Sequence, residues 1–484
     1  MHVNDLPEEI LSDILSLATQ SNEADGVSFT YGLTEAQLPL QKQKIQKYVR
    51  GPVTAEHMRW DATDSIRGVC HRWHEWAISY NLENVFERKW QGGERWANLP
   101  VSRKPNALYD MIQYPSSTPL RRDPYGSLKN TDRIFKTLPY LTNHVRRLWF
   151  NGFYTKESDL LILSVVSECD ALQTLTVPWT VLRRSSAEDW IDLLNVNTGH
   201  GSPLQSLELQ AQCLRNEEAD ALGKDNSPNA LADPRVDFSA LKRLRIFGNT
   251  LHKPVCDEDM QLIARTATSL EALDVTNLST VSVAGMLALV KASRETLQVL
   301  EHSPRSDDGF YHPYPGNLST DEHICELLTS LPRMRDLSIS VPYMCADLFS
   351  NPEVQWEGEC QVRATDLCGC NSSTSSKIRA SKLRRVFSAA RNLIAFRARM
   401  HHNLSIELFF AGCIFEPAKN LVHGDFAMTQ VHSHGQWPRR TEVSTKGPYG
   451  TTGVYGDGKG DDSSWDAVWE DEYLRAVEMG WVQL

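Results

Sequence analysis

Leu241-Lys-Arg-Leu-Arg-Ile-Phe247 and, 29 residues later, Leu270-Glu-Ala-Leu-Asp-Val-Thr276 share one pattern, Leu-x-x-Leu-x-apolar. The same pattern recurs on both sides of them, with starts 27 to 59 residues apart. Recurrence at such intervals indicates a repeat architecture in which each unit supplies one strand. The other occurrences are Val145/Leu148/Phe150, Leu172/Leu175/Val177, Leu204/Leu207/Leu209, Leu297/Leu300, Met334/Leu337/Ile339 and Leu393/Phe396.

Amphipathic helices are expected between these strands. Val283 to Val290 and Ile324 to Leu331 carry apolar residues at the i, i+3, i+4, i+7 positions of a helix face. Ser185-x-x-Glu188 and Ser319-x-x-Glu322 have the form of capping boxes. We therefore expect an α/β repeat, an irregular leucine-rich-repeat-like solenoid of parallel strands plus helices. A doubly wound α/β domain also alternates strands and helices, and it stays open as an alternative.

The strand residues that flank the repeated apolar positions form the expected ligand surface for a protein partner, because side chains alternate between the two faces of a strand. The candidates are Arg147, Trp149, Arg243, Arg245, Phe247, Arg397 and Arg399, together with the acids Asp274, Glu301 and Asp336. Eight Lys or Arg and no acid lie between Lys377 and Ile406. Such a patch pairs with an acidic or phosphorylated segment, although a solvated helix face has the same composition.

Short amphipathic helices are predicted at the N-terminus. A helix should begin near Pro7, which is followed by acids in the first turn. Apolar residues then recur at Ile10, Ile14 and Leu17, and a second stripe runs from Ile66 through Trp73 and continues to Phe86. A unit this small cannot bury all of that apolar surface, so part of it should face a partner.

Leu6-Pro7-x-Glu9-Ile10 followed by Val69-Cys70-x-x-Trp73 resembles the F-box. Here residues 19 to 64 are inserted between the two halves, and Phe86 stands where the family usually ends its pattern with Trp. The resemblance implies binding to a Skp-family adaptor, and through it to a cullin complex, in a ubiquitin ligase. The residues implied in adaptor contact are Leu6, Pro7, Ile10, Ile14, Val69, Cys70 and Trp73.

The chain would then be a non-enzymatic substrate-recognition subunit. The alternative is a repeat scaffold, without a ubiquitin-ligase role, whose N-terminal helices only cap the array. The expected domains are an F-box-like helical domain at 1–90 with an inserted loop at 19–64, a connecting segment at 91–142, a leucine-rich-repeat-like array at 143–425 with an insertion near 343–380, and a Gly-rich loop with a C-terminal capping helix at 426–484.

Composition and the first residues of the chain indicate which classes of partner and which cellular location to expect. A formal charge of -11 gives no reason to expect a nucleic-acid or membrane-surface binder. The first residues contain acids where a secretory signal carries positive charge, and no apolar h-region follows. We expect a cytoplasmic and/or nuclear protein.

No catalytic motif, cofactor site or metal site is predicted. Gly453 to Gly460 comes near a phosphate-binding loop but lacks its Ser or Thr, and a flexible loop is expected there. Cysteines gather only at Cys345, Cys360, Cys368 and Cys370, and they lack the Cys-x-x-Cys pairs that are typical of structural zinc. Free thiols are therefore the interpretation, and metal binding by these four stays an open question.

Overall fold

The computed structural model describes residues 6–26, 63–89, 125–194, 202–211, 214–225, 228–248, 250–303, 323–424, 466–480 and 482. Two compact units divide the chain. The first spans Met1–Gln210 and Leu214–Val236, and the second spans Ala211–Cys213 and Asp237–Leu484. Both are mixed α/β structures in which most strand pairs are parallel. The capping box expected at Ser319-x-x-Glu322 and the loop at 453–460 lie outside the described residues.

The first unit begins with three helices, α1 (Glu8–Gly26), α2 (Asp64–Arg67) and α3 (His71–Glu83). The prediction that a helix begins near Pro7 is confirmed, since the Leu11 amide donates to the Pro7 carbonyl at 3.0 Å. The three helices share one small core. It contains Leu11, Leu15, Ile66 and Ala77, with Trp73 and Trp76 packed against it.

A strand follows α3 directly. The prediction that the apolar helical stripe continues to Phe86 is wrong, because residues Asn84–Arg88 form strand β1. This strand pairs in parallel with β2 (Arg147–Asn151), so Phe86 lies opposite Trp149. Pairing with a distant segment overrides the local helical periodicity. Between β1 and β2 lie α4 (Gly126–Thr137) and a 3-10 helix (Pro139–His144), in a region that was predicted only as a connection.

The rest of the first unit alternates strands and helices. Its strands β1, β2, β3 and β4 pair in chain order, and every pair is parallel. The capping box predicted at Ser185 is displaced by one residue, because Ser186 and Asp189 form it while the Ser185 hydroxyl donates to Val181. The elements are α5 (Lys156–Ser167), β3 (Thr174–Pro178), α6 (Trp179–Arg184), α7 (Ala187–Leu194), β4 (Ser206–Ala211), α8 (Asn216–Lys224) and a 3-10 helix (Ala230–Ala232).

The second unit continues the same alternation. Its strands from β5 to β10 pair in parallel and follow chain order. The elements are β5 (Arg243–Gly248), α9 (Asp257–Ala264), β6 (Ala272–Thr276), α10 (Val283–Ala292), β7 (Val299–Ser303), α11 (Ile324–Thr329), β8 (Asp336–Met344), a 3-10 helix (Ala346–Phe349), β9 (Gly358–Leu367), α12 (Ser376–Arg399) and β10 (Leu404–Phe410).

Hydrogen bonds link the two ends of α10 to the start of α9 and to the loop between α9 and β6. The Ser293 hydroxyl donates to the Ala267 carbonyl at 2.6 Å, and the Thr296 hydroxyl donates to the Leu270 carbonyl at 2.7 Å. At the start of α10 the Asp257 carboxylate accepts from the Ser282 amide at 2.7 Å. Each bond joins residues 25 or 26 positions apart, so three bonds fix α10 and the turn after it to the neighbouring strand and helix unit.

Seven of the eight predicted strand positions fall on β2 to β8, but the eighth is wrong. Leu393 and Phe396 belong to the 24-residue helix α12. The i, i+3, i+4, i+7 spacing at Leu383, Val386, Phe387 and Ala390, all buried, explains why this segment is a helix.

Antiparallel strands end the second unit. β11 (Cys413–Glu416), β12 (Leu421–Gly424) and β13 (Asp466–Trp469) follow β10, and each strand pairs with its predecessor in antiparallel fashion. Helix α13 (Glu470–Glu478) is present where the sequence placed a C-terminal helix, and its Tyr473 ring lies 5.2 Å from that of Phe415. Among the helices of the described ranges, none has the length and apolarity needed to cross a bilayer.

Candidate functional site

Helix α1 presents apolar side chains in two directions. Leu11 and Leu15 are buried in the three-helix core, whereas Ile10 is 49% exposed, Ile14 is 41% exposed and Leu17 is 66% exposed. The exposed positions follow the i, i+4, i+7 spacing and therefore share one face of the helix. Helix α1 thus uses one apolar face for folding and leaves another open to solvent.

The turn between α2 and α3 also presents an exposed apolar side chain. Val69 is 54% exposed, and its amide donates to the Ile66 carbonyl at 3.2 Å, which fixes the turn. Cys70, the N-cap of α3, and Trp73 in its first turn are half-buried. Asn81 Nδ2 donates to the buried Thr63 hydroxyl at 2.7 Å and holds α2 against α3.

Hydrogen bonds from α3 hold the Leu-Pro segment and α1 in place. Both terminal guanidinium nitrogens of Arg72 donate hydrogen bonds to the Leu6 carbonyl at 3.4 Å. Trp76 Nε1 donates to the Ser12 hydroxyl at 2.9 Å. The two halves of the motif, separated by the insert, are therefore brought together in one helical substructure. Leu6 is half-buried and Pro7 is exposed.

We call the exposed apolar residues Ile10, Ile14, Leu17 and Val69 the N-terminal apolar face. Of the seven residues implied in adaptor contact, four are exposed, namely Pro7, Ile10, Ile14 and Val69. Exposed carboxylates on α1 flank the face, at Glu8, Glu9 and Asp13. Several large exposed apolar side chains with a polar rim are typical of a protein interaction site.

A second candidate surface is a row of polar side chains across the second unit. Strand register places Arg245 beside Asp274, and Glu301 beside Ser338. We call the complete row, one residue from each strand of β5 to β10, the strand-face row. Its members are Arg245, Asp274, Glu301, Ser338, Gln361 and Glu407.

Side-chain bonds run along the strand-face row. Arg245 Nε lies 3.0 Å from Asp274 Oδ2. Farther along, Arg363 donates to the Ser338 hydroxyl at 3.1 Å and to Gln361 Oε1 at 2.6 Å. Gln361 in turn donates to Glu407 Oε2 at 3.1 Å. The row is therefore an ordered polar surface, in which the side chains are positioned before any partner binds.

Negative charge is concentrated at the centre of this row. Burial raises the pKa of Asp274, although the neighbouring Arg245 acts in the opposite direction. Burial also raises the pKa of Glu301, and the charge of Asp274 adds to that increase. A cationic group from a partner would stabilise both carboxylates in their ionised form.

The strands place most of the predicted ligand residues as expected. Arg243, Arg245 and Phe247 are exposed on β5, where the pattern alternates strictly with buried residues. On β2, in the first unit, Arg147 is exposed and Trp149 is half-buried. The row residues of β9 and β10 were missed, because neither strand carries the Leu-x-x-Leu-x-Leu pattern.

Arg397 and Arg399 do not lie on a strand, and their placement on the strand face is wrong. Both are in the last turn of α12. Arg397 is only 5% exposed and lies 4.0 Å from Glu357, while the Arg399 guanidinium lies over the Phe396 ring. Leu393 and Phe396 have the spacing of the strand pattern, so the neighbouring Arg397 and Arg399 were wrongly predicted to lie on a strand.

Much of the positive charge of α12 is paired within the second unit. Arg379 lies 3.2 Å from Asp366, and Arg391 pairs with Glu470 of α13. Lys382 donates to the carbonyl of Cys368 at 2.7 Å. These contacts favour a structural role for the basic segment over the binding of an acidic partner.

No protein-family model matches the chain. No curated protein matches it either. Its function must therefore be inferred from the two surfaces above and from the cysteine cluster.

The cysteine neighbours in the structure differ from the group predicted from the sequence. Cys360 is buried within β9, and burial raises the pKa of its thiol to about 12. Cys345 instead lies beside His323 and Cys325, which the sequence did not single out. A hydrogen bond from Cys325 lowers the pKa of Cys345 to about 6, and the pKa of Cys325 is raised by the same interaction.

Proposed function

We propose that the chain is the substrate-recognition subunit of a Skp/cullin/F-box type ubiquitin ligase. Its N-terminal helices bind the Skp-family adaptor, and the strand-face row binds a protein target. The chain itself carries out no chemistry in this proposal, since the ubiquitin-transfer machinery belongs to the rest of the ligase.

The N-terminal apolar face is the observation that carries the proposal. At the positions of the F-box-like motif, Leu11 and Leu15 fold the helices, whereas Ile10, Ile14 and Val69 are exposed. Burial of such side chains against a partner contributes about 1.5–3 kcal/mol for each one that is fully removed from water. A helical substructure that leaves several of them exposed is suited to docking on another protein.

The body is proposed to be an irregular leucine-rich-repeat-like array. Sequential parallel strands in each unit support this proposal. A doubly wound sheet has a strand order that reverses direction at a switch point. Neither unit shows such a reversal among its described parallel strands.

The charge of the strand face indicates what the target offers. The outward residues of β5 to β10 that are exposed or half-buried include five acids and two arginines, which are Asp274, Glu301, Asp336, Glu359, Glu407, Arg243 and Arg245. Surfaces that bind each other have complementary charge. We therefore propose a target segment that places a Lys or Arg over Asp274 and Glu301.

The adaptor role can be tested by reconstitution. Purified full-length chain is mixed with an immobilised cullin complex, with and without the Skp-family adaptor. We expect the chain to be retained only when the adaptor is present. Absence of retention, or retention that does not depend on the adaptor, would contradict the proposed role and leave the scaffold alternative.

The target surface needs a separate test. Tagged full-length chain is expressed with a proteasome inhibitor, and captured proteins are quantified for Glu301→Lys and for the control Glu295→Lys, whose side chain is 80% exposed outside the row. Glu301→Lys should reduce target capture at least tenfold without affecting adaptor capture. Equal target capture by both variants would exclude the row as the binding surface.

A further inference from the structure

Three soft metal-ligand groups meet beside the last residue of β8. His323 precedes α11, Cys325 lies in the first turn of α11, and Cys345 follows β8. Their ligand atoms all lie within 4.8 Å of one another. His323 Nε2 and Cys345 Sγ are separated by 3.2 Å.

A carboxylate borders the same cluster. Asp347 Oδ2 lies 3.6 Å from Cys345 Sγ and 4.0 Å from His323 Nε2. In a tetrahedral zinc site with Zn–S about 2.3 Å and Zn–N about 2.0 Å, donor atoms are separated by roughly 3.3–3.8 Å. The separations of 3.2, 3.6 and 4.0 Å among His323, Cys345 and Asp347 lie within about 0.2 Å of that range, and the Cys325 sulfur lies within 4.8 Å of the His323 and Cys345 ligand atoms.

We propose that His323, Cys325 and Cys345 bind one Zn²⁺ ion, with the Asp347 carboxylate as the fourth ligand. Two thiolates and one imidazole form a donor set that binds zinc in preference to the hard cations calcium and magnesium. The donors come from two segments, one at α11 and one between β8 and the adjoining 3-10 helix. The bound ion would therefore join them and act as a structural cross-link.

Burial at the cluster suits a structural site with one open side. Cys325 is 4% exposed, whereas the side chain of His323 is 37% exposed and that of Asp347 is 66% exposed. The ion can enter from the His323 and Asp347 side while the sulfur atom of Cys325 is shielded. Limited access of this kind slows both loss of the metal and oxidation of the buried thiol.

Two cysteines this close can also form a disulfide, so the experiment must separate the two outcomes. Full-length chain is purified with a reductant, stripped with a chelator and titrated with Zn²⁺ against a chromophoric competitor. Binding of Co²⁺ as a substitute ion is followed by its visible spectrum, which reports thiolate ligation. We expect one equivalent of metal and a thiolate-to-cobalt band.

Matched variants assign the ligands. Cys345→Ser and His323→Ala should each weaken zinc binding at least tenfold, and Asp347→Asn should weaken it less. Cys370→Ser, at a half-buried cysteine that lies outside the cluster, should bind zinc like the unchanged chain. Circular dichroism establishes that each variant is folded.

Two results would overturn the proposal. They are binding of less than half an equivalent by the reduced unchanged chain, and unchanged binding by a folded Cys325→Ser/Cys345→Ser double variant, whereas a Cys325–Cys345 disulfide that forms only without reductant reports only the proximity of the two thiols. Unchanged affinity in Asp347→Asn would overturn the assignment of the fourth ligand.

Discussion

The double substitution Ile10→Glu/Ile14→Glu should abolish adaptor binding while leaving the chain folded. The two side chains are 49% and 41% exposed and lie one helical turn apart on α1. Exposed positions tolerate substitution with changes of about 0.5 kcal/mol or less in the free energy of unfolding. The variant therefore removes the proposed contact without removing the core that Leu11 and Leu15 form.

The size of the effect follows from the exposed fractions. Full burial of an isoleucine side chain contributes about 1.5–3 kcal/mol, so the half of each that remains exposed offers about 1 kcal/mol on binding. Placing two carboxylates in an apolar interface adds a penalty of about 2 kcal/mol or more. The total of about 4 kcal/mol corresponds to a loss in affinity on the order of a thousandfold.

Isothermal titration calorimetry with purified Skp-family adaptor measures this loss. The matched control is Leu160→Glu, because Leu160 is 59% exposed on α5 and lies outside the N-terminal apolar face. Thermal unfolding midpoints of both variants should match that of the unchanged chain. A dissociation constant within threefold of the unchanged value for the double variant, or an equal loss in the control, would refute the reasoning.

Two further predictions concern the packing of two glycines and the acid stability of one ion pair. Gly285→Ala should lower the free energy of unfolding by about 1–3 kcal/mol in urea titration, because the new Cβ would collide with the Asp257 carboxylate. Gly223→Ala, where a Cβ meets no atom within 4 Å, should stabilise the chain slightly, and equal effects would contradict this account. His423, 2.8 Å from Glu416, helps to lower the pKa of Glu416 from 4.5 to about 2. This stabilisation is present above about pH 4.5 and is lost as the pH falls towards 2. Glu416→Gln should therefore reduce the loss of unfolding free energy over that pH range by about 2 kcal/mol. An unchanged pH profile of unfolding would exclude this ion pair as a source of acid-dependent stability.

The strand positions were predictable where burial repeats with strict alternation. On β5 and β6 every second residue is buried, and the sequence shows this as Leu-x-x-Leu-x-apolar. β9 was missed because its buried residues Cys360, Val362 and Ala364 alternate without the Leu-x-x-Leu spacing of the other strands, in a segment that was predicted as an insertion. α12 was misread at one end because Leu393 and Phe396 happen to have strand-like spacing.

One candidate site could be predicted from the sequence and another could not. The N-terminal apolar face depends on short-range helical periodicity, so Ile10 and Ile14 could be selected from the sequence. The cluster of His323 and Cys345 depends on two segments meeting in space, and those two residues are 22 positions apart in the chain. No spacing rule for neighbouring ligands could have found it.

The central claim is that the N-terminal helices dock on a Skp-family adaptor. Size-exclusion chromatography with light scattering, on an equimolar mixture of full-length chain and purified adaptor, tests it most directly. We predict one peak whose mass is the sum of one copy of each protein, and its conversion to two separate peaks in the Ile10→Glu/Ile14→Glu variant. Two separate peaks with the unchanged chain at micromolar concentration would contradict the claim.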